Sequence, residues 1–312
     1  LMSALTYVDS GVDIEKGNAF VDIIKKITKN DGIGGFSGIY NHNGTRLVAS
    51  TDGVGSKLKM CKFLNKYDTI GIDLVAMSVN DIICQGARPL FFLDYYSMGK
   101  LDLERASDII KGIAEGCRQS NCILLGGETS EMPSVYSKDD FDLAGFVVGV
   151  IENETFPKNI EEGDLIYGLK SDGLHSNGYT LVNRLLETNS YENVDDFLVP
   201  TKIYYKEVEE IKKKYGAAVK GFSHITGGGI IDNIPRILPK GLTFSVNSWE
   251  IPDIFHWIYK NSDMTTANML QTYNCGIGMV VIFDKSVGVI DTMLNLGKVI
   301  KGETPKIENS FI

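Results

Sequence analysis

The sequence lacks a cysteine framework and lacks any long hydrophobic run. Its five cysteines form no Cys-x-x-Cys pair and no regular spacing, and their number is odd. This pattern fits reduced thiols and has none of the ligand spacing of a zinc site. The longest apolar run, 143–151, is interrupted by glycines and is too short to cross a bilayer. Without a signal-peptide pattern either, the sequence predicts a cytoplasmic protein with no membrane partner.

Basic residues are also scarce relative to acidic ones. The 312 residues include 31 Lys and Arg against 40 Asp and Glu, for a net charge of −9. A nucleic acid partner requires clustered Lys and Arg to neutralise its phosphates, so this balance argues against one. It leaves open a small phosphate ligand that is held together with a metal ion. The 43% hydrophobic and 23% charged residues exclude disordered and fibrous classes.

Glycine, in contrast, is abundant, with 33 residues in the chain. This exceeds the average of about 7%, and it marks either loops or places where the backbone approaches a ligand. The length fits two domains of roughly 150 residues. Apolar patterning is interrupted between Glu152 and Gly163, by Pro157 and by Glu161–Glu162. We therefore expect domains at 1–157 and 158–312, each of mixed helices and strands, in an α+β or α/β fold.

Hydrophobic periodicity predicts the elements of both halves. In the first half we expect helices at 18–29, 72–83 and 106–117, strands at 46–51, 90–96, 122–125 and 142–152, and a loop at 126–133. In the second half we expect strands at 165–169, 242–246 and 278–283, and helices at 179–188, 203–215, 230–237, 253–259, 264–273 and 287–296.

The segment STDGVGSK (50–57) follows a predicted strand. Its glycines allow consecutive N–H groups to converge on phosphate oxygens, Asp52 can bind the accompanying Mg²⁺, and Lys57 adds a positive charge. It is not a Walker A loop, because GxxxxGK[ST] is absent. The alternative interpretation is a polar turn between a strand and a helix.

Several polar residues interrupt elements that are otherwise apolar. Asn80 and Asp81 lie in a predicted helix, Asp94 lies in a predicted strand, and Glu128 and Glu131 follow another strand. A buried carboxylate costs several kcal/mol unless it is paired or bound to a metal. Caps or pairing with Arg or Lys would explain each acid separately, whereas one Mg²⁺–nucleotide site explains them together. Oxygen ligands without histidine favour Mg²⁺ over zinc.

These patterns predict an ATP-binding set. It comprises Asp52, Gly53, Val54, Gly55, Ser56, Asn80, Asp94, Gly126, Gly127, Glu128, Thr129 and Glu131.

Two of the four histidines lie in glycine-rich segments of the second half. His175 and His224 could each contact a phosphate, transfer a proton, or be ordinary loop histidines. A further glycine-rich segment, GIGGFSG (32–38), follows a helix rather than a strand, so it does not fit a dinucleotide fingerprint. It either closes over phosphates or serves as a linker.

Eight segments, in order along the chain, resemble the motifs of the phosphoribosylformylglycinamidine cyclo-ligase (AIR synthetase) family. They are STDGVGSK (50–57), LVAMSVNDIICQGARPLFFLDYY (74–96), GGETSEMP (126–133), DLAGFVVGV (142–150), SDGLHSNGY (171–179), PTKIYYK (200–206), HITGGGIIDNIPRILP (224–239) and NCGIGM (274–279).

The resemblance implies the fifth step of de novo purine synthesis. In that reaction ATP phosphorylates the formyl oxygen of formylglycinamidine ribonucleotide, and an amidine nitrogen closes the ring to give aminoimidazole ribonucleotide, ADP and phosphate. It also implies a homodimer in which paired N-terminal domains form a β-barrel, with a C-terminal α/β domain.

The resemblance further implies roles for individual residues. Asp52, Asp81 and Glu128 match positions that direct acidic groups toward Mg²⁺ and phosphates, and His175 and His224 match histidines of the active-site cleft. Together with Lys57 as a neutralising charge, these two histidines form the expected catalytic set. The matching segment Tyr7–Asp13 is expected to close over the site.

Related enzymes are the first alternatives. Selenophosphate synthetases need a reactive cysteine or selenocysteine in the glycine-rich region, where this chain has Phe36 and no cysteine. The hydrogenase-maturation relative uses a C-terminal cysteine, which is absent from the sequence Ser310–Phe311–Ile312. A thiamine phosphate kinase is opposed by the GGETSEMP and HITGGG segments. A nucleotide-binding dimer without catalytic activity also stays open.

Overall fold

The computed structural model describes residues 14–30 and 33–308. The segment Tyr7–Asp13, which was expected to close over the site, and Gly32 lie outside the described residues. The elements of the first half are α1 (Ile14–Thr28), β1 (Gly38–His42), β2 (Thr45–Gly53), α2 (Lys57–Leu64), α3 (Ile70–Ile83), β3 (Arg88–Met98), α4 (Leu103–Gln119), β4 (Ile123–Glu131) and β5 (Phe141–Ile151).

The strands of the first half form one sheet in the order β1-β2-β5-β3-β4. All pairs are antiparallel except β3 with β4, which are parallel. Along β5 the odd-numbered residues from Phe141 to Ile151 are buried, while Asp142 and Phe146 are exposed, as expected for a sheet covered on one face. The sheet has two edge strands, so the described chain contains no closed barrel.

Helix α3 is almost entirely buried because it is covered on several sides. It packs on strands β2 and β5, on α4, and on two elements of the second half. Its contact with α4 requires glycine, because a Cβ on Gly71 would lie 2.2 Å from the backbone nitrogen of Ile113. Polar residues of α3 that face the second half are therefore held in a rigid, desolvated position.

The second half contains one six-stranded sheet in its described residues, in the order β11-β8-β10-β6-β9-β7. Its elements are β6 (Leu165–Lys170), α5 (Tyr179–Thr188), α6 (Tyr205–Tyr215), β7 (Val219–His224), α7 (Gly229–Asn233), β8 (Leu242–Val246), α8 (Asp253–Asn261), α9 (Thr266–Thr272), β9 (Ile277–Phe283), β10 (Leu294–Lys301) and β11 (Lys306–Ile307), with 3₁₀ turns at Val194–Leu198, Gly216–Ala218 and Ile234–Ile237.

Three expectations from the sequence are wrong. The second half is not α/β, because every strand pair except β8 with β11 is antiparallel, and the class is therefore α+β. The segment 287–296 is not a helix: Gly288 takes a φ of +76°, and strand β10 begins at Leu294. The segment 126–133 is mostly strand rather than loop, because β3 supplies backbone hydrogen bonds for β4 as far as Glu131.

Both halves contribute to one hydrophobic core. At their junction, α3 contacts α6 and β7, and Phe156 meets Phe222 edge to face with ring centroids 5.2 Å apart. No helix among residues 14–30 and 33–308 is both long enough and apolar enough to span a membrane.

Candidate active site

The C-terminal turn of α3 carries two polar residues into the junction of the halves. Asn80 is fully buried; its amide nitrogen donates to the Lys202 carbonyl at 2.8 Å, and its amide oxygen accepts from the Tyr204 backbone N–H at 3.0 Å. The next residue, Asp81, reaches His224 at the end of β7, with 2.9 Å between Oδ1 and Nδ1. Asn80 thus fixes the two halves at the point where Asp81 meets a histidine.

Asp52 lies beside this pair on strand β2. Its Oδ1 accepts from the Gly53 N–H at 2.7 Å, and burial together with the nearby charge of Asp81 raises the pKa of Asp52 to about 6. Ser50, on the same face of β2, donates to Asp81 Oδ2 at 3.4 Å. The Asp52 and Asp81 carboxylates are therefore close enough to affect each other's charge, and Asp81 contacts His224. Such a pair of oxygen donors suits a hard cation such as Mg²⁺.

Asp94 occupies the same face of the sheet as Asp52. Both residues are aligned with Gly145 of the intervening strand, so they lie two strand spacings apart, about 10 Å. Burial raises the pKa of Asp94. Its neighbour on β4, Gly127, must be glycine, because a Cβ there would lie 2.3 Å from Asp94 Oδ1. Asp94 thus extends the acidic face but does not join the Asp52–Asp81 pair.

The acids of β4 point elsewhere. Glu128 is paired with the exposed Tyr95 and follows Gly127, so its side chain lies on the sheet face opposite to Asp94. Its carboxylate accepts from the Thr129 N–H at 2.8 Å, and the Glu131 carboxylate accepts from the Leu101 N–H at 2.8 Å. In the described part of the chain, no three His, Cys, Asp or Glu residues are grouped to hold a metal ion. The described part of the chain therefore does not bring Glu128 to Asp52 and Asp81.

Lys57 has no exposed surface and no free hydrogen. Its ammonium group donates to Asp73 Oδ1 at 2.8 Å, to the His175 carbonyl at 3.0 Å and to the Val199 carbonyl at 2.7 Å. These three acceptors use all three hydrogens of the ammonium group. The geometry therefore favours a structural role for Lys57 over the expected contact with a phosphate.

The partner of Lys57, Asp73, was not singled out from the sequence. Its Oδ1 also accepts from Ser176 Oγ at 3.0 Å and from the backbone N–H and hydroxyl of Thr201, both at 2.7 Å. The same sequence signal that points to Asp81 could have identified Asp73, because both are carboxylates within the apolar helix α3. Lys57, Asp73, Ser176 and Thr201 are called the sealed cluster below.

His175 lies next to the sealed cluster and is buried. Its Nε2 accepts the backbone N–H groups of Asp172 at 3.2 Å and Lys202 at 3.4 Å, so the ring is neutral with its proton on Nδ1. Burial lowers the pKa of His175 well below its usual value. A Cβ on Gly278 would meet both the imidazole and the Tyr204 hydroxyl. His175 thus fills the junction, while His224 holds Asp81.

A cavity of about 500 Å³ opens against β2 at the residues that precede Asp52. It is lined by residues 33–39 of the glycine-rich segment and by Ala49, Ser50 and Thr51 of β2. Gln85 ties this segment to the end of α3, donating to the Ser37 carbonyl at 3.2 Å. The glycine-rich segment is therefore part of a cleft wall rather than only a linker.

The phosphate-loop candidate runs between the two halves. Val54 is buried, Gly55 takes a φ of +67° that favours glycine, and Ser56 Oγ lies 2.8 Å from the Thr180 hydroxyl. The Asn183 side chain donates to the Ser56 carbonyl at 3.1 Å. The loop that follows Asp52 is thus held in a fixed shape by α5, next to the carboxylate pair.

Comparison with known proteins identifies both halves. A family model described as AIR synthase related protein, N-terminal domain, matches residues 35–151, and the corresponding C-terminal domain model matches 161–297. Phosphoribosylformylglycinamidine cyclo-ligase from Methylobacillus flagellatus is 48% identical over 90% of this chain and 87% of that protein. The protein of the same name from Caldanaerobacter subterraneus subsp. tengcongensis is 45% identical over 96% of this chain and 98% of that protein.

Solved structures share the fold at much lower identity. AaThiL complexed with AMPPCP and TMP superposes with a TM-score of 0.69 and 16% identity, covering 93% of this chain and 92% of that chain. At this identity the similarity establishes the two-domain fold alone.

Proposed function

The chain belongs to the phosphoribosylformylglycinamidine cyclo-ligase family, which is a family of ligases, and we propose that it uses ATP to form aminoimidazole ribonucleotide. One observation carries the proposal. In a chain 45–48% identical to these enzymes, the Asp52 and Asp81 carboxylates interact, and a cavity lined by the glycine-rich segment reaches β2 at Ser50 and Thr51, next to Asp52 in the chain. The reaction belongs to purine biosynthesis.

The proposed reaction activates a poor leaving group. ATP transfers its γ-phosphoryl group to the formyl oxygen of formylglycinamidine ribonucleotide, which yields ADP and a phosphorylated imidate. An amidine nitrogen then attacks the activated carbon, the C–O bond breaks, and phosphate leaves with the electron pair. Loss of a proton gives the aromatic ring. Such chemistry depends mainly on positioning and on stabilising phosphate charge.

Asp52 and Asp81 would hold the Mg²⁺ that accompanies ATP. The residues fit the ion, because adjacent carboxylates repel each other and the raised pKa of Asp52 reports that repulsion together with burial. When bound, Mg²⁺ would neutralise developing phosphate charge. His224 would orient the Asp81 carboxylate, and the backbone of residues 53–56 would contact phosphate. Glu128, Glu131 and their neighbours Gly126 and Thr129 remain proposed nucleotide contacts.

We also propose a homodimer, in which the uncovered face of the first sheet forms the interface. Large apolar side chains are exposed on this face and at its β4 edge, among them Tyr95, Ile123, Leu125 and Phe146 at 39–60% exposure. An apolar sheet face rarely stays in water. A second copy would cover it and place Glu128, which lies on this face, at the interface. All five cysteines are free thiols, which suits a cytoplasmic enzyme.

The experiment that tests the function measures ADP release from ATP and Mg²⁺ with and without formylglycinamidine ribonucleotide. We expect ADP to appear only with the substrate, in equal amount to aminoimidazole ribonucleotide. ATP binding without substrate-dependent ADP would identify a silent nucleotide-binding dimer instead. For the interface, Phe146→Glu is expected to shift the mass in light scattering from dimer to monomer, whereas Val289→Glu, at a residue 85% exposed in the second half, should not.

A further inference from the structure

Two of the five cysteines meet at the end of helix α4. Asn121 takes a left-handed φ of +50°; the Cys122 N–H donates to the Cys117 carbonyl at 3.0 Å, and the Asn121 N–H donates to the Arg118 carbonyl at 3.3 Å. These two hydrogen bonds define a Schellman motif, in which the side chains at the third-last helical position and the second position beyond the cap contact each other. Here those two positions are both cysteine.

The two thiols lie close enough to affect each other's ionisation. The interaction between them lowers the pKa of Cys122 and raises that of Cys117. Cys117 is 3% exposed, whereas Cys122 is only half-buried and can be reached from solvent. An accessible thiolate with a second thiol behind it is the arrangement that favours thiol–disulfide exchange.

The other cysteines have no such arrangement. Cys61, Cys84 and Cys275 are buried at 0–1% exposure. Burial raises the pKa of each of these thiols, so they are poor nucleophiles. They therefore serve as internal controls in the same chain.

We propose that Cys117 and Cys122 are a modification site, which low-molecular-weight disulfides convert reversibly into an intramolecular disulfide. The Cys122 thiolate attacks one sulfur of the small disulfide, its S–S bond breaks, and one small thiolate leaves. Cys117 then loses its proton to solvent and attacks the Cys122 sulfur, which releases the second small thiol. The two protein thiols are oxidised by two electrons, and one small disulfide is reduced to two thiols.

The two cysteines lie next to β4 and near Asp94, both of which contribute to the proposed nucleotide site. Cys117 is close enough to Asp94 for the charge of this carboxylate to raise its pKa, and Cys122 immediately precedes β4. A disulfide would shorten the sulfur–sulfur distance to about 2.05 Å. Oxidation would thus fix the end of α4 to the start of β4.

Peptide mapping of the full-length native protein tests the proposal. The protein is incubated with oxidised glutathione, denatured, alkylated and digested with trypsin. Because trypsin cuts after Lys111, Arg118 and Lys138, a Cys117–Cys122 disulfide would join peptides 112–118 and 119–138. We expect this joined pair, its loss on treatment with dithiothreitol, and alkylation of Cys61, Cys84 and Cys275. Separate alkylated peptides, or oxidation of all five cysteines alike, would overturn the proposal.

Two variants distinguish the roles of the two thiols. Cys117→Ser should accumulate one stable glutathione adduct on Cys122, because no second thiol resolves it. Cys122→Ser should gain no adduct on the buried Cys117. Should either variant fold poorly in circular dichroism, native wild-type protein provides the readout: iodoacetamide should label Cys122 at least about tenfold faster than Cys117. Equal labelling rates would contradict the assigned order of attack.

Discussion

Two polar clusters lie at the junction of the halves, and they differ in how their charges are satisfied. In the sealed cluster, Lys57 donates all three of its hydrogens, and Asp73 Oδ1 accepts four hydrogen bonds. In the other cluster, Asp81 contacts His224, and Asp52 accepts a hydrogen bond from the Gly53 N–H. An acid in an apolar helix thus holds the fold where the chain supplies a cation, as at Asp73, whereas Asp81, which contacts His224, is the acid that we expect to bind a ligand.

The largest effect should come from breaking the sealed cluster. Replacing Lys57 by Met leaves the Asp73 carboxylate buried without its cation, which typically costs about 3–5 kcal/mol. We expect a loss of this size in the free energy of unfolding, measured with urea. Lys59→Met, at an exposed position of the same helix, should change stability little. A loss below about 1 kcal/mol for Lys57→Met would contradict the structural role.

Substitutions in the cluster of Asp52 and Asp81 should change the activity rather than the stability. Asp52→Asn removes one proposed Mg²⁺ ligand, and we expect turnover to fall by about 10²–10³, the scale of one lost electrostatic stabiliser. Stability should stay equal or rise, because the repulsion between Asp52 and Asp81 is removed. The two measurements are ADP release and urea unfolding, with Asp291→Asn, at an exposed position of the second half, as the matched control. Full activity of Asp52→Asn would remove Asp52 from the site.

Lowering the pH should cause a smaller loss of stability, through His175 beside the sealed cluster. The folded protein keeps His175 neutral well below its ordinary pKa near 6.5, so the unfolded chain binds a proton first as pH falls. Stability should therefore decrease below pH 6.5, with a contribution from this residue of up to about 1.4 kcal/mol per pH unit. Urea unfolding between pH 5 and 7.5 should show a shallower slope for His175→Asn than for wild type. An identical slope would mean that His175 is protonated in the fold.

The smallest effect belongs to an ion pair outside both clusters. Arg88 and Glu152 form a bidentate pair, but their side chains are 41% and 50% exposed. Exposed pairs contribute about 0.2–1 kcal/mol. Glu152→Gln should therefore lower the free energy of unfolding far less than Lys57→Met does. A loss as large as that of Lys57→Met would show that burial does not explain the difference in strength between the two ion pairs.

Local pattern was sufficient for part of the site. A carboxylate in an apolar helix predicts a partner or a ligand for Asp81, and Asp81 contacts His224; the glycine-containing loop points to Asp52, whose pKa is raised by burial. That the two acids bind Mg²⁺ stays a prediction. Sequence could not show that Glu128 lies on the opposite face from Asp94, because the face depends on strand register. It could not separate Lys57 as a phosphate ligand from Lys57 as a partner of Asp73 either, since that choice depends on three acceptors distant in the chain.

In the fold as well, local pattern was sufficient for some elements, while pairing between distant strands decided others. Helices with a clear apolar stripe, such as α4 and α5, were predicted where they occur. The sequence predicts a loop beyond Leu125, whereas β4 continues to Glu131. Its glycines and polar residues have little intrinsic strand preference and are extended only through pairing with β3. The segment 287–296 has apolar residues at nearly helical spacing, but Gly288 and the pairing of β10 with β6 and β8 decide otherwise.

The four hydrogen bonds on Asp73 Oδ1 have a consequence for how the chain unfolds. Their donors come from α2 in the first half and from residues 176 and 201 in the second, while Lys57 itself also reaches two carbonyls of the second half. Opening the junction would remove two of the three acceptors of Lys57 and three of the four donors to Asp73 Oδ1, and would leave this ion pair without the groups that solvate it. We therefore expect the two halves to unfold as a single cooperative unit.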